Sequence, residues 1–272
     1  MTQLKGAVVL ITGAAGGFGQ ELTKQLLSAG SRLILSDRDE KQLWDRAESL
    51  GREIATGEIL ACLGVDLGDR QGCETLYHRV QALGIAVDVL INNAGIGLFG
   101  RIDEVPTEKW EKLLQINLLA PMRLSSLFVA DMIARRRGHI VNISSIAGWA
   151  APAGLAHYSA SKFGLRGFSE GLLREVKFYN VNVTVVYPFF SRTAILHSPQ
   201  YGTLATHNSN SPKFVSDPAQ IMGKTIQAIA RNQFEVFPDA IAQLIHLSQQ
   251  YFPGGVFWFS ELFRRKPNNA GY

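Results

Sequence analysis

Charge is scarce in this chain of 272 residues: Asp, Glu, Lys and Arg make up 18% of it, against roughly 25% in an ordinary soluble protein. The shortage is local. Between Met1 and Tyr179, 39 of 179 residues are charged, whereas Asn180–Phe263 holds 8 in 84. Cysteine is nearly absent, with Cys62 and Cys73 falling in segments that read as strand and helix. They form no disulfide framework and no metal-ligand spacing, which points to a reducing compartment, read as the cytoplasm. Clustered basic charge is missing too. The net charge is +4 and scattered, and the run Arg135-Arg136-Arg137 reads as complementing the negative C-terminal end of a helix, with a phosphate patch as the alternative. Nucleic acid is thereby disfavoured as a partner. The chain lacks a run of 18 uncharged apolar residues, so no membrane span is expected. Its first apolar run, Ala7–Thr12, meets Gly13 too soon to read as a signal peptide.

Glycine, by contrast, is plentiful at 26 of 272 residues. With the low charge, this excludes a disordered chain, a coiled coil or a disulfide scaffold. Short apolar runs alternate with longer amphipathic ones. Ala7–Ile11, Arg32–Ser36, Ile59–Val65, Val87–Ile91, His139–Ser144 and Val181–Tyr187 read as strands. Helical patterns cover Gly17–Ala29, Asp39–Leu50, Asp69–Leu83, Thr107–Arg137 and Ala156–Phe178. Near-continuous apolar strands imply burial on both faces, and strand–helix alternation implies a parallel sheet with right-handed crossovers. The predicted fold is α/β: a doubly wound parallel sheet of the Rossmann type, a single domain over 1–272. The long irregular stretch 192–216, rich in Ser, Asn, Thr and His, reads as a substrate lid loop.

The first predicted strand runs into Thr12-Gly13-Ala14-Ala15-Gly16-Gly17-Phe18-Gly19. Glycines suit a backbone that must turn tightly and then approach a pyrophosphate, while the next helix offers free N–H groups and a positive dipole end. Alone, G-x-x-x-G-x-G is a weak signal, with a structural turn as the plain alternative. Asp37 closes the second strand, where a carboxylate binds ribose hydroxyls and repels a 2′-phosphate, favouring NAD. Arg38 could meet that phosphate instead, which leaves NADP as the alternative. The helix N-cap role goes better to Asp39. Asp66-Leu67 and Asn92-Asn93-Ala94-Gly95 follow the third and fourth strands, at the carboxyl ends where ligands bind in such sheets. In isolation these would be ordinary turn residues.

Tyr158 and Lys162 stand four apart in a helical segment, so they share a face, about 6 Å apart along the axis. A free tyrosine titrates near pH 10, too high for efficient proton transfer at neutrality, and a nearby ammonium lowers that value. Ser145, thirteen residues before Tyr158 at the end of the fifth strand, places a hydroxyl where it could hold a carbonyl or carbinol oxygen. Asn117 is polar amid apolar neighbours, and its plain reading is a helix-interior amide satisfied by backbone.

Taken together, these motifs resemble the classical short-chain dehydrogenase/reductase family, in family order from about Leu4 to Thr193. The resemblance implies a tetrad of Asn117, Ser145, Tyr158 and Lys162. Tyr158 would be the general acid/base and Ser145 would stabilise charge on the substrate oxygen. Lys162 would lower the Tyr158 pKa and hold the nicotinamide ribose, and Asn117 would anchor a water joining Lys162 to solvent. It also implies dinucleotide contacts from Thr12, Gly13, Gly17, Phe18, Gly19, Asp37, Arg38, Asp66, Leu67, Asn93, Ala94, Gly95, Tyr158, Lys162, Pro188 and Thr193. One departure stands out: Phe189-Phe190-Ser191 follows Pro188 where the family has Pro-Gly, which puts the roof of the substrate pocket in question.

The segment 238–272 is an apolar C-terminal extension. Up to Phe263 its charges are Asp239 and Glu261, with Trp258 and five Phe or Tyr residues after Gln250, and it then meets Arg264-Arg265-Lys266. Three readings stay open: the wall of a pocket for a bulky apolar substrate, a subunit contact in a homodimer or homotetramer, and peripheral contact with a membrane surface. The expected function is NAD-dependent interconversion of a secondary alcohol and a ketone on a steroid-, retinoid- or long-chain-type substrate. An NADP-dependent carbonyl reductase and a non-catalytic dinucleotide sensor or scaffold are the rivals.

Overall fold

The structure, a computed structural model, describes residues 1–207 and 215–252. The apolar runs become parallel strands of one sheet: β1 (Val8–Thr12), β2 (Arg32–Asp37), β3 (Glu58–Gly64), β4 (Val89–Asn92), β5 (Gly138–Ile143), β6 (Val181–Val186) and β7 (Glu235–Val236). Their order is β3-β2-β1-β4-β5-β6-β7. The connections reverse direction between β1 and β4, which makes that crevice the topological switch point where such sheets bind ligands.

Helices cover both faces: α1 (Gly17–Ser28), α2 (Glu40–Glu53), α3 (Arg70–Gln81), α4 (Thr107–Leu114), α5 (Ala120–Ala134), α6 (Ala156–Val176), α7 (Gly202–His207), α8 (Pro218–Ala230) and α9 (Ala240–Tyr251). Alternation along β1 divides the core. Val9 and Ile11 pack with Leu22 and Leu26 of α1 and Ile229 of α8. Val8 and Leu10 face Leu76 of α3, Phe128 of α5 and Leu172 of α6. The fold is therefore the expected doubly wound parallel sheet.

Three local differences from the sequence reading have physical reasons. The seventh strand was not predicted, because two residues carry no periodicity; Glu235 and Val236 pair with Val185 and Val186. The long helix Thr107–Ala134 is continuous, but Gln115–Leu119 forms a π turn inside it. This helix is long and apolar enough to cross a bilayer by length and composition. Yet its inner face packs on α3, α6 and β5, so the apolarity serves the core. Stretch 192–216 is less irregular than expected, with a 3-10 turn at Ala194–His197 followed by α7; residues 208–214 lie outside the described residues.

The basic run closes α5. Arg135 binds Asp88 and the Val87 carbonyl, Arg136 turns the chain at φ +50° and donates to the Phe178 carbonyl, and Arg137 pairs with Asp88. Cys62 and Cys73 are free and buried. Of the C-terminal extension, α9 and Phe252 are described, and Pro253–Tyr272 lies outside.

Candidate active site

The loop Thr12–Gly19 is shaped by close packing. Gly13 has φ +65° and lies so near Ala94 that a Cβ would come within 2.7 Å of its Cα. Helix α1 starts at Gly17, and its N-cap Gly16 has no side chain to cap it, so its first N–H groups face out of the strand end. That cradle fits a dinucleotide pyrophosphate. Thr12 and Asn93 build it. The Thr12 hydroxyl accepts from the N–H groups of Asn93 and Ala94, both at 3.1 Å, and the Asn93 amide donates to the carbonyls of Thr12 and Gly13. Their side chains therefore position the loop. Leu67 likewise has its side chain in the core.

Asp37 closes β2 beside the glycine-rich loop. Its carboxylate accepts from Ala15 N at 2.9 Å and Arg38 N at 2.7 Å, while Asp39 caps α2 as expected. Arg46 of α2, which the sequence reading missed, donates to the Ala15 carbonyl beside Asp37. Asp66 accepts from Gly68 N and pairs with Lys112 at 3.9 Å. A cleft of about 320 Å³ opens here, between Gly64 and Thr75.

Ser145 follows the carboxyl end of β5, and Tyr158 and Lys162 lie on the first turns of α6. Ser145 caps the short turn after β5, its hydroxyl accepting from Ala147 N at 3.1 Å, and lies near the Tyr158 phenol. The Lys162 ammonium lies 5.6 Å from the Tyr158 ring centroid and donates to the Ile143 carbonyl at 3.0 Å. Burial pushes the Tyr158 phenol up to about 12, opposed by the nearby Ser145 hydroxyl, and burial pushes Lys162 down to about 8. Desolvation by the protein therefore dominates at Tyr158. At neutral pH the phenol keeps its proton.

Asn117 is satisfied by backbone, as its plain reading held, but not by that of its own helix. The π turn aims it at the β4–α4 loop, where Oδ1 accepts from Ile96 N and Nδ2 donates to Ile96 O, both at 2.9 Å. Gly95 separates Asn117 from Lys162: a Cβ there would lie 3.4 Å from Asn117 Oδ1 and 3.9 Å from Lys162 Nζ. Asn117, Ser145, Tyr158 and Lys162 thus lie close to one another.

The roof comes from Pro188–Thr193. Thr193 sits over the start of α1, so close that a Cβ on Gly17 would meet its Cγ2 at 2.9 Å. The departure at Phe189 has a structural answer. Its N–H is taken by buried Asp239 at 2.9 Å, and the same carboxylate caps α9 through Ala242 N. Asp239 was not singled out from the sequence, although Asp before a helical run is an N-cap signal. His157 was also missed; its Nε2 lies 3.0 Å from the Leu98 carbonyl, tying α6 to the β4–α4 loop.

A dinucleotide cradle at the switch point of a parallel sheet, beside a Ser–Tyr–Lys group, defines a nicotinamide-dependent oxidoreductase. The family model for short chain dehydrogenase matches residues 7–201. The chain belongs to that family. It is 32% identical over 234 residues to the 3-ketodihydrosphingosine reductase of Bos taurus, covering 85% of this chain and 70% of that one. It spans 60% and 56% of two further curated relatives. Among solved structures, a short-chain dehydrogenase from Sphingobium yanoikuyae in complex with NADPH matches with a TM-score of 0.77 at 25% identity, covering 98% of this chain and 99% of that one. One from Burkholderia phymatum in complex with NAD matches with a TM-score of 0.80 at 25% identity over 100% of both chains.

Proposed function

We propose that this protein interconverts a secondary alcohol and a ketone on a bulky apolar substrate, with Tyr158 as general acid/base. The observation that carries this is the buried Lys162 ammonium beside Tyr158, 5.6 Å from its ring centroid and anchored to the Ile143 carbonyl at the end of β5. The dinucleotide, when bound, supplies or takes the hydride. In the reducing direction Ser145 holds the carbonyl oxygen, and the Tyr158 O–H bond breaks as its proton passes to that oxygen. Lys162 holds positive charge beside the phenolate left behind and returns it to the protonated form. Asn117 fixes Ile96 and hence the wall beside Lys162. The contacts implied for Gly13, Gly17, Phe18, Gly19, Ala94, Gly95 and Thr193 fit the cradle as backbone and packing contacts.

The fixed Asp37 carboxylate supports a preference for NAD, because a 2′-phosphate would approach a negative charge already pinned by two N–H groups. Arg38 and Arg46 flank it and support NADP as the second reading. A bulky substrate is supported by the apolar group around Tyr158, formed by Leu98, Val105, Leu113, Trp110 and Tyr201. The bovine relative is named for a ketone it reduces.

The Asp239 bridge supports reading the extension as a pocket wall. The exposed stripe Leu244, Leu247, Tyr251 and Phe252 supports a subunit or membrane contact by the same segment. Deleting Pro253–Tyr272 and measuring substrate affinity, oligomer size and liposome flotation separates these roles. Compartment is read as cytoplasmic.

A panel of apolar alcohols and ketones, assayed with both dinucleotides by nicotinamide absorbance, tests the activity. Tyr158→Phe tests the role: turnover should be lost while dinucleotide binding, read by fluorescence titration, persists. Substantial residual turnover would remove Tyr158 from the acid/base step.

A further inference from the structure

The start of the lid, Thr193–Tyr201, does not lie loosely over the site. Phe99 N donates to the Pro199 carbonyl at 3.1 Å and Tyr201 N to the Phe99 carbonyl at 2.8 Å, with Phe99 and Gln200 paired as a parallel bridge. The lid is thus stitched by backbone to the β4–α4 loop. Tyr201 joins the apolar group that includes Tyr158.

One side chain closes this seam. Glu104, with its side chain 18% exposed, accepts from Thr203 N at 2.9 Å and from the Thr203 hydroxyl at 3.0 Å. Arg101 holds the same carboxylate from the other side at 3.2 Å. The lid bends to meet it at Gly202, in the left-handed region with φ +68°, and a Cβ on Gly202 would run into the Glu104 carboxylate. A carboxylate held by a cation, a backbone N–H and a hydroxyl is a stronger tether than a neutral contact. Glu104 touches neither Tyr158 nor the dinucleotide cradle.

We propose that Glu104 is a positioning residue that latches the lid to the β4–α4 loop and so sets substrate affinity. This rests on the reading of Tyr158 and of stretch 192–216 given above. The latch holds Tyr201 against the Tyr158 group, which keeps the substrate side of the pocket closed and apolar. Its loss loosens the wall that binds substrate while leaving the proton-transfer residues in place.

Two measurements test it. In Glu104→Gln, hydrogen exchange at the Tyr201 and Thr203 amides should quicken about ten-fold or more, as expected for losing a hydrogen bond to a charged group. Exchange at the Asn93 and Ala94 amides should be unchanged. This needs no substrate, so it stands even if the proposed activity fails. With a substrate from the panel, KM should rise about ten-fold with kcat within about two-fold, the pattern of lost uniform binding. Gly202→Ala, which breaks the same contact from the other side, should give the same split. The double variant should be no worse than either single one. Unchanged exchange and KM in Glu104→Gln would overturn the latch. So would loss of NADH affinity and of thermal midpoint alongside KM, which would mark a general loss of fold.

Discussion

The two ends of the sheet bury polar groups to opposite effect. At the amino ends of the strands, Thr2, His139, Thr184 and Asn232 close on one another: His139 Nδ1 lies 2.9 Å from the Thr2 hydroxyl and Nε2 2.8 Å from that of Thr184. Thr2 also donates to Asn232 at 2.7 Å. At the carboxyl ends, Thr12, Asn93 and Asn117 are held by backbone, so that Tyr158, Lys162 and the first turn of α1 remain available to a ligand. Burial acts on both ends. It pushes His139 down to about 3 and Lys162 down to about 8. The first value keeps a structural imidazole neutral throughout the physiological range, while the second leaves an amine able to exchange protons just above it. Desolvation alone therefore does not mark a reactive group; an open neighbour does.

That contrast can be broken from either end. The largest effect expected is at the carboxyl end: Tyr158→Phe should lower kcat by roughly 100- to 10,000-fold, the usual contribution of a positioned acid/base, with the urea midpoint unchanged. At the amino end the outcome should be reversed. Thr184→Val leaves His139 Nε2 without its partner, and chemical denaturation should show a loss of about 1–3 kcal/mol with kcat/KM intact. Acid should expose the same end. Because burial holds His139 at about 3, below its ordinary 6.5, the unfolded chain binds a proton that the folded one refuses between those values. Stability should fall with decreasing pH across that window by up to about 1.4 kcal/mol per unit, and His139→Gln should flatten the slope. Lys162 has the same sign in a different window, adding stability as pH rises from about 8 to 10.5. The smallest change expected is in discrimination. Asp37→Ala should shift the NAD to NADP preference by about ten-fold, or about 1.4 kcal/mol, read from the two Kd values. An unmoved ratio would take Asp37 out of the ribose site.

How much of this was legible depended on what each residue does. Six strands lay open in the sequence because Val, Leu and Ile runs buried on both faces leave no other reading. β7 did not, since Glu235 and Val236 are held by their pairing with β6 alone. Asn117, Ser145, Tyr158 and Lys162 were legible as a set of candidates, and the structure places them near one another. Less legible was the division of labour: Thr12 and Asn93 look like ligand contacts but shape the loop, and Leu67 looks like one but fills the core. Glu104, Asp239 and Arg46 went unnoticed because each acts on backbone distant in sequence, at Thr203, Phe189 and Ala15 respectively. Such pairs have no local spacing to betray them. The charge deficit after Asn180 was real and was placed correctly, and α9 expresses it as a helix with no charged residue.

The π turn at Gln115–Leu119 amounts to one surplus residue in an otherwise α-helical rod. Each α-helical residue turns the chain by about 100°, so removing one residue from this turn would let the rod heal into regular helix. The healed helix would be locally more comfortable, yet Asn117 would swing away from Ile96 and the wall beside Lys162 would lose its anchor. A shortening by one residue here, invisible to any count of motifs, should therefore silence the protein while leaving it folded.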